Sequence, residues 1–122
     1  MSRPLDELLS QQQLRDVICC FYDGVYSDPM LAPLFTGVDQ RKQEERLFRF
    51  VLMTAVPNND RIDGRFLRMA HDHLALNPAL LARRWEHLVS AISACGHGPD
   101  VVAAWNSYEA RFRDWVLSSV DA

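Results

Sequence analysis

Leu14, Val17, Ile18, Phe21, Tyr22 and Val25 recur at steps of three and four residues, interrupted by no proline and by one glycine, Gly24. That period places all six on one side of a helix, and an apolar stripe so complete has to be covered by other elements. The remaining apolar residues follow the same period. No stretch alternates with period two, no hairpin dipeptide occurs, and there are no internal repeats, so the expectation is an all-α fold of about five or six helices.

Boundary signals divide the chain. Pro4, with Asp6 and Glu7 behind it, opens a short amphipathic turn over residues 4–9. Ser10 with Gln13 reads as a capping box for the Tyr22 helix, which Asp28-Pro29 breaks. MLAPLF is then a tight connection with Phe35 as its buried anchor. Asp39 caps a helix over roughly 40–55 whose apolar face holds Leu47, Phe50, Val51 and Thr54, with Gln43 one turn before Leu47. A polar loop from Pro57 to Gly64 leads to a short helical run, Phe66 to Leu76. Asn77-Pro78 starts a helix with the stripe Leu81, Trp85, Leu88 and Ile92, closed by Gly96 and Gly98. Pro99-Asp100 opens the last helix, with Val101, Trp105, Tyr108, Phe112 and Trp115 on one face.

At 122 residues the chain has the size of one domain, residues 1–122, with a real core. Thirteen basic against 16 acidic side chains leave a net charge of −3, which points away from nucleic acid and anionic membranes as partners. No apolar run approaches the roughly 20 residues of a membrane span, and the N-terminus lacks a signal-peptide core. Cys19, Cys20 and Cys95 form no ligand spacing and read as reduced, partly buried thiols. A soluble cytoplasmic protein is expected.

Little familiar chemistry fits. Di-iron carboxylate sites need two Glu-x-x-His pairs, and the one Glu beside a His here is Glu86, adjacent to His87. His71 and His73, two apart, point to different sides of a helix and do not share a zinc ion easily. No nucleophile elbow, phosphate-binding loop or dinucleotide fingerprint is present. What stands out is His71 on an apolar stripe with Leu67, Ala70 and Leu74. Its ring nitrogen needs a backbone carbonyl, a metal or a haem iron. His73 shares another stripe with Phe66, Met69 and Ala70, so periodicity leaves both histidines open. Tyr22 either reaches the surface at its helix edge or faces a cavity, where a buried phenol needs a partner.

The chain resembles the truncated haemoglobins, the small two-over-two helical globins. Phe21-Tyr22, Val25, Asp28-Pro29, Leu31 and Phe35 are similar to the family's FY-x-x-V-x-x-DP-x-L-x-x-x-F signature. Met69-Ala70-His71-Asp72-His73-Leu74 is similar to its region around the proximal histidine, with the Phe50 helix between the two motifs and the Trp85 helix after them. The resemblance implies a globin-like two-over-two sandwich holding haem b, with His71 rather than His73 as the iron ligand. It implies Tyr22 and Gln43 as the distal pair that stabilises a bound ligand, and Phe35, Leu47 and Phe50 as haem contacts. Arg46 and Arg68 are the implied propionate partners, and either Trp85 or Arg84 fills the next pocket position. His87 matches a polar position and is structural or solvent-facing. Val56-Pro57 and a single Gly64 stand where many family members carry paired glycines, so no subgroup is assigned.

The function so implied is binding of O2, NO, CO or another small ligand. Hydrogen bonds from Tyr22 and Gln43 would slow ligand release, which favours sensing or NO/O2 detoxification over bulk oxygen transport. Nitric oxide dioxygenase or peroxidase-like turnover would need an external electron donor, a reductase. A monomer or weak homo-oligomer is expected. The alternative is a haem-free globin-like helical module for sensing or interaction, with a sealed core.

Overall fold

The computed structural model describes residues 4–55 and 77–118, with side chains as far as residue 112 in the last helix. Every regular element among the described residues is helical: α1 (Leu5–Leu8), α2 (Gln11–Ser27), a 3-10 turn (Ala32–Phe35), α3 (Gln40–Thr54), α4 (Pro78–Ala94) and α5 (Pro99–Ser118). The all-α expectation holds, and the layers are those of a small globin-like sandwich. α2 and α3 pack together, α4 and α5 pack together, α2 crosses α4 between the layers, and α1 lies against α5.

The ends form where local chemistry dictates. The Ser10 side chain accepts from the Gln13 N–H at 3.1 Å while the Gln13 side chain accepts from the Ser10 N–H at 2.8 Å, the reciprocal box expected for α2. Asp39 and Asn77 cap α3 and α4 by accepting from the N–H groups of Lys42 and Leu80. α4 ends in a Schellman motif. The Gly96 N–H reaches the Ser93 carbonyl and the His97 N–H reaches the Ile92 carbonyl, with Gly96 at φ 86°, a region costly for any residue with a Cβ.

All six stripe residues of α2 are buried. They meet Leu88, Ala91 and Ile92 of α4, with Val101, Ala104, Trp105, Tyr108 and Phe112 of α5 completing the core. Trp105, at 1% exposure, is its largest fully buried side chain. Covering each such large apolar group contributes about 1.5–3 kcal/mol relative to leaving it in water.

Three packing details differ from expectation. Phe35 is half-buried, and the buried anchor of the connection is Leu31. On α3 the buried apolar residues are Phe48 and Val51, with Leu47 and Phe50 half-buried. Phe48 turns to the α2 side, where the Arg15 guanidinium sits 3.7 Å from its ring centroid. On α4, Leu81 and Trp85 are half-buried, and Ala91 takes a place in the core instead. Cys19 is exposed where a partly buried thiol was expected. No helix among the described residues is long and apolar enough to cross a membrane.

Candidate functional site

Tyr22 lies at 4% exposure on the α2 stripe, so it does not surface at the helix edge. Its phenol oxygen accepts a 3.2 Å hydrogen bond from the Gln43 carboxamide nitrogen on α3. The two polar groups of the expected distal pair therefore meet across the α2–α3 interface. Rings surround the phenol: Phe21 at 4.8 Å between centroids, Phe35 at 5.9 Å edge-on, and Tyr26 at 6.1 Å edge-on. Tyr26 stacks on Phe35 at 5.3 Å and donates from its hydroxyl to the Val38 carbonyl, which fixes the loop carrying Phe35.

Burial pushes the Tyr22 phenol above its ordinary pKa, against the opposing pull of Arg84 and Gln43. The group is neutral at physiological pH. Because Gln43 uses the oxygen as an acceptor, the O–H proton stays available to a third group.

Arg84, rather than Trp85, is the α4 residue that faces this phenol. Its guanidinium lies 5.1 Å from the Phe21 ring centroid and donates to Glu109 of α5 at 2.8 Å. Trp85, one residue on, is turned about 100° around the helix. It lines a groove of about 700 Å3 between α4 and the start of α5, with Val89, His97 and Val102. Leu47 and Phe50 are half-buried on α3, and Arg46 is exposed. Arg68, His71 and His73 lie outside the described residues.

A second polar cluster, which sequence reasoning missed, sits one and a half turns beyond Tyr22. The Asp28 side chain is 2% exposed and accepts from Arg83 Nε at 2.5 Å, from the Met30 N–H at 2.8 Å, and contacts His87 Nε2 at 2.6 Å. The hydrogen bonds from Arg83 and His87 hold its carboxyl well below the usual carboxylate range. His87 is thus structural, as expected. It lies over Gly24, where a Cβ would stand 2.8 Å from His87 Nδ1. Asp28-Pro29 was readable as a helix stop and as part of the family signature, not as the centre of a polar cluster. Its partners are 55 and 59 residues away, and no local signal announces them.

No family model matches the chain. It is 31% identical over 87 residues to the Group 1 truncated hemoglobin GlbN of Synechocystis sp., a match that covers 68% of this chain and 69% of that protein. Taken with the layered helices and with the Phe-Tyr stripe packed where the resemblance put it, this relationship places the chain in the truncated haemoglobin family.

Proposed function

We propose that the chain is a haem b protein that binds O2, NO or another small ligand at an iron held by His71, on the side faced by Tyr22 and Gln43. The observation that carries this reading is the buried, neutral Tyr22 phenol, accepting from Gln43 and keeping a proton to give. The donor set fits the group. Phe35, Leu47 and Phe50 offer half-buried apolar surface for a porphyrin, and the exposed Arg46 guanidinium suits a propionate. Arg68 is the second propionate candidate.

When bound, haem supplies an iron centre that coordinates small diatomic ligands, with His71 as its protein ligand. The chain's own residues do the rest. Tyr22 would donate a hydrogen bond to the ligand's polar atom. Gln43 holds the phenol in place and offers its second amide hydrogen. Phe21, Phe35 and Tyr26 exclude water, so each of these bonds acts in a medium of lower dielectric than solvent. Slow ligand release follows, which suits sensing or NO/O2 detoxification with an external electron donor.

The test is the absorption spectrum of the purified or haem-reconstituted protein, ferric and dithionite-reduced, with and without carbon monoxide. A Soret band that shifts on reduction and again with carbon monoxide is expected. His71→Ala should abolish or badly weaken haem retention while His73→Ala leaves it intact, and the reverse would move the iron ligand to His73. A colourless protein that takes up no added haem would leave a haem-free globin-like module.

A further inference from the structure

Arg84 and Glu109 form an ion pair between α4 and α5, with Nη1 2.8 Å from the carboxylate and side-chain exposures of 30% and 15%. The guanidinium also lies over the ring of Phe21, 5.1 Å from its centroid, and Phe21 is 1% exposed. Phe21 in turn packs against Tyr22 at 4.8 Å between centroids, tilted by 56°. Beyond the phenol, the Gln43 bond closes at 3.2 Å. One series of contacts thus runs from α5 through α4 and α2 to α3, with a charge pair at the end opposite Gln43.

Stability alone does not call for a charge pair there. Taking two ions largely out of water costs about what their attraction returns, and apolar side chains of similar volume often serve as well or better. What an arginine adds is direction. Its planar, permanently charged guanidinium stacks on a ring face while donating to a carboxylate, and a lysine ammonium has no plane with which to do both. Glu109 fixes the guanidinium, and the guanidinium holds the face of Phe21.

We propose that Arg84, held by Glu109, is a positioning residue for the Tyr22 phenol and acts through the Phe21 ring. The proposal rests on the reading of Tyr22 as hydrogen-bond donor to a bound ligand. Phe21 and Tyr22 are consecutive on α2, so their side chains leave the helix about 100° apart, and the packing around them decides how the rings meet. Phe35 borders the phenol edge-on at 5.9 Å, and Phe21 is the wall that Arg84 holds. The Tyr22–Gln43 bond stands at the long end of the usual N–H···O range of about 2.7–3.2 Å, so a small turn of the phenol loosens it. Without the guanidinium, Phe21 can shift and the phenol loses its aim.

The experiment uses the full-length haem-loaded protein as wild type, Arg84→Met, Arg84→Lys and Glu109→Gln, each also combined with Tyr22→Phe. Two quantities are read: the O2 dissociation rate, and NMR cross-relaxation between the Tyr22 ring and the Gln43 carboxamide in the carbon monoxide complex. Arg84→Met should raise the rate about fivefold and weaken the cross-relaxation. Glu109→Gln should move both in the same direction, and Arg84→Lys should restore part of each. In the Tyr22→Phe background the same substitutions should change the rate by less than about twofold, since a residue acting through the phenol has nothing left to position. An equal rise in both backgrounds, or an unchanged rate or cross-relaxation in Arg84→Met, would overturn the proposal. Should Arg84→Met fail to fold, Glu109→Gln decides by the same criteria. A wild-type protein that takes up no haem would remove the haem reading by itself. The cross-relaxation, measured then in the haem-free chain, would still support the positioning if it weakens in Arg84→Met and overturn it if it does not.

Discussion

Tyr22 and Tyr108 are both buried phenols, both are bonded to α3, and in both burial raises the pKa above the ordinary 10.0. They reach opposite ends of that helix and differ in what becomes of the phenolic hydrogen. At the C-terminal end, Thr54 Oγ1 donates to the Phe50 carbonyl at 2.6 Å, so the 2.5 Å contact with Tyr108 has the phenol as donor. Arg111 adds a bond to the Thr54 carbonyl at 2.8 Å, and Phe112 covers the cluster from 5.2 Å. At the N-terminal end, Tyr22 is an acceptor and its hydrogen is left for something else. Equal burial of one residue type thus serves two ends. One phenol latches α3 to α5, and the other keeps a hydrogen that its bond with Gln43 does not use.

The largest effect should come from breaking the latch. Thr54→Val leaves the Tyr108 hydroxyl buried without its acceptor and should lower unfolding free energy by about 1–3 kcal/mol in a urea titration. Ligand kinetics should stay at wild-type values. Tyr22→Phe should do the opposite. The dissociation rate of O2 from the haem-loaded protein should rise about tenfold, equivalent to about 1.4 kcal/mol, because a hydrogen bond to the ligand is lost. Stability should change by less than about 1 kcal/mol, since the half-buried Gln43 can turn to water. Equal destabilisation by both variants, with no change of rate in either, would erase the distinction.

Acid titration sharpens the comparison from the Tyr22 side, where Asp28 ties the end of α2 to α4. Its folded pKa lies below the ordinary 3.8, so the unfolded chain binds the proton more readily. The stability this group contributes is complete above that ordinary value and is lost as pH falls through the folded pKa. Asp28→Asn should therefore be less stable than wild type at pH 7, with the gap narrowing below about pH 4. A gap independent of pH would mean that the carboxylate's charge is not what holds the two helices.

Local pattern made the helices legible and left much of the site undetermined. The α2 stripe could be read residue by residue because six apolar positions on one period leave a single face to bury. Caps at Ser10, Asp39 and Asn77 were equally plain, since their chemistry lies within three residues. On α3 the reading was coarser. Leu47, Phe48, Phe50 and Val51 spread over an arc of about 160°, and which of them is covered depends on neighbours absent from the local sequence. Arg84 and Trp85 differ by one position and therefore by about 100° in direction, so only the packed helix separates them. Tyr22 and Gln43 were paired through the resemblance, and the fold brings the two side chains within hydrogen-bonding distance. The bonds from Asp28 to Arg83 and from Thr54 to Tyr108 span more than 50 residues and had no local trace.

Gly24 gives this arrangement a mechanical consequence. Two residues after Tyr22, the α2 surface has no side chain, and His87 occupies the space. The close seating of His87 on α2 therefore depends on an absent methyl group. An alanine there would have to lift the imidazole from α2 by several tenths of an ångström. Asp28 would be dragged with it, and one turn back along α4 the Arg84 guanidinium would rise from the ring of Phe21. The seating of Arg84 over Phe21, the ring next to Tyr22, therefore depends on a residue that has no side chain of its own.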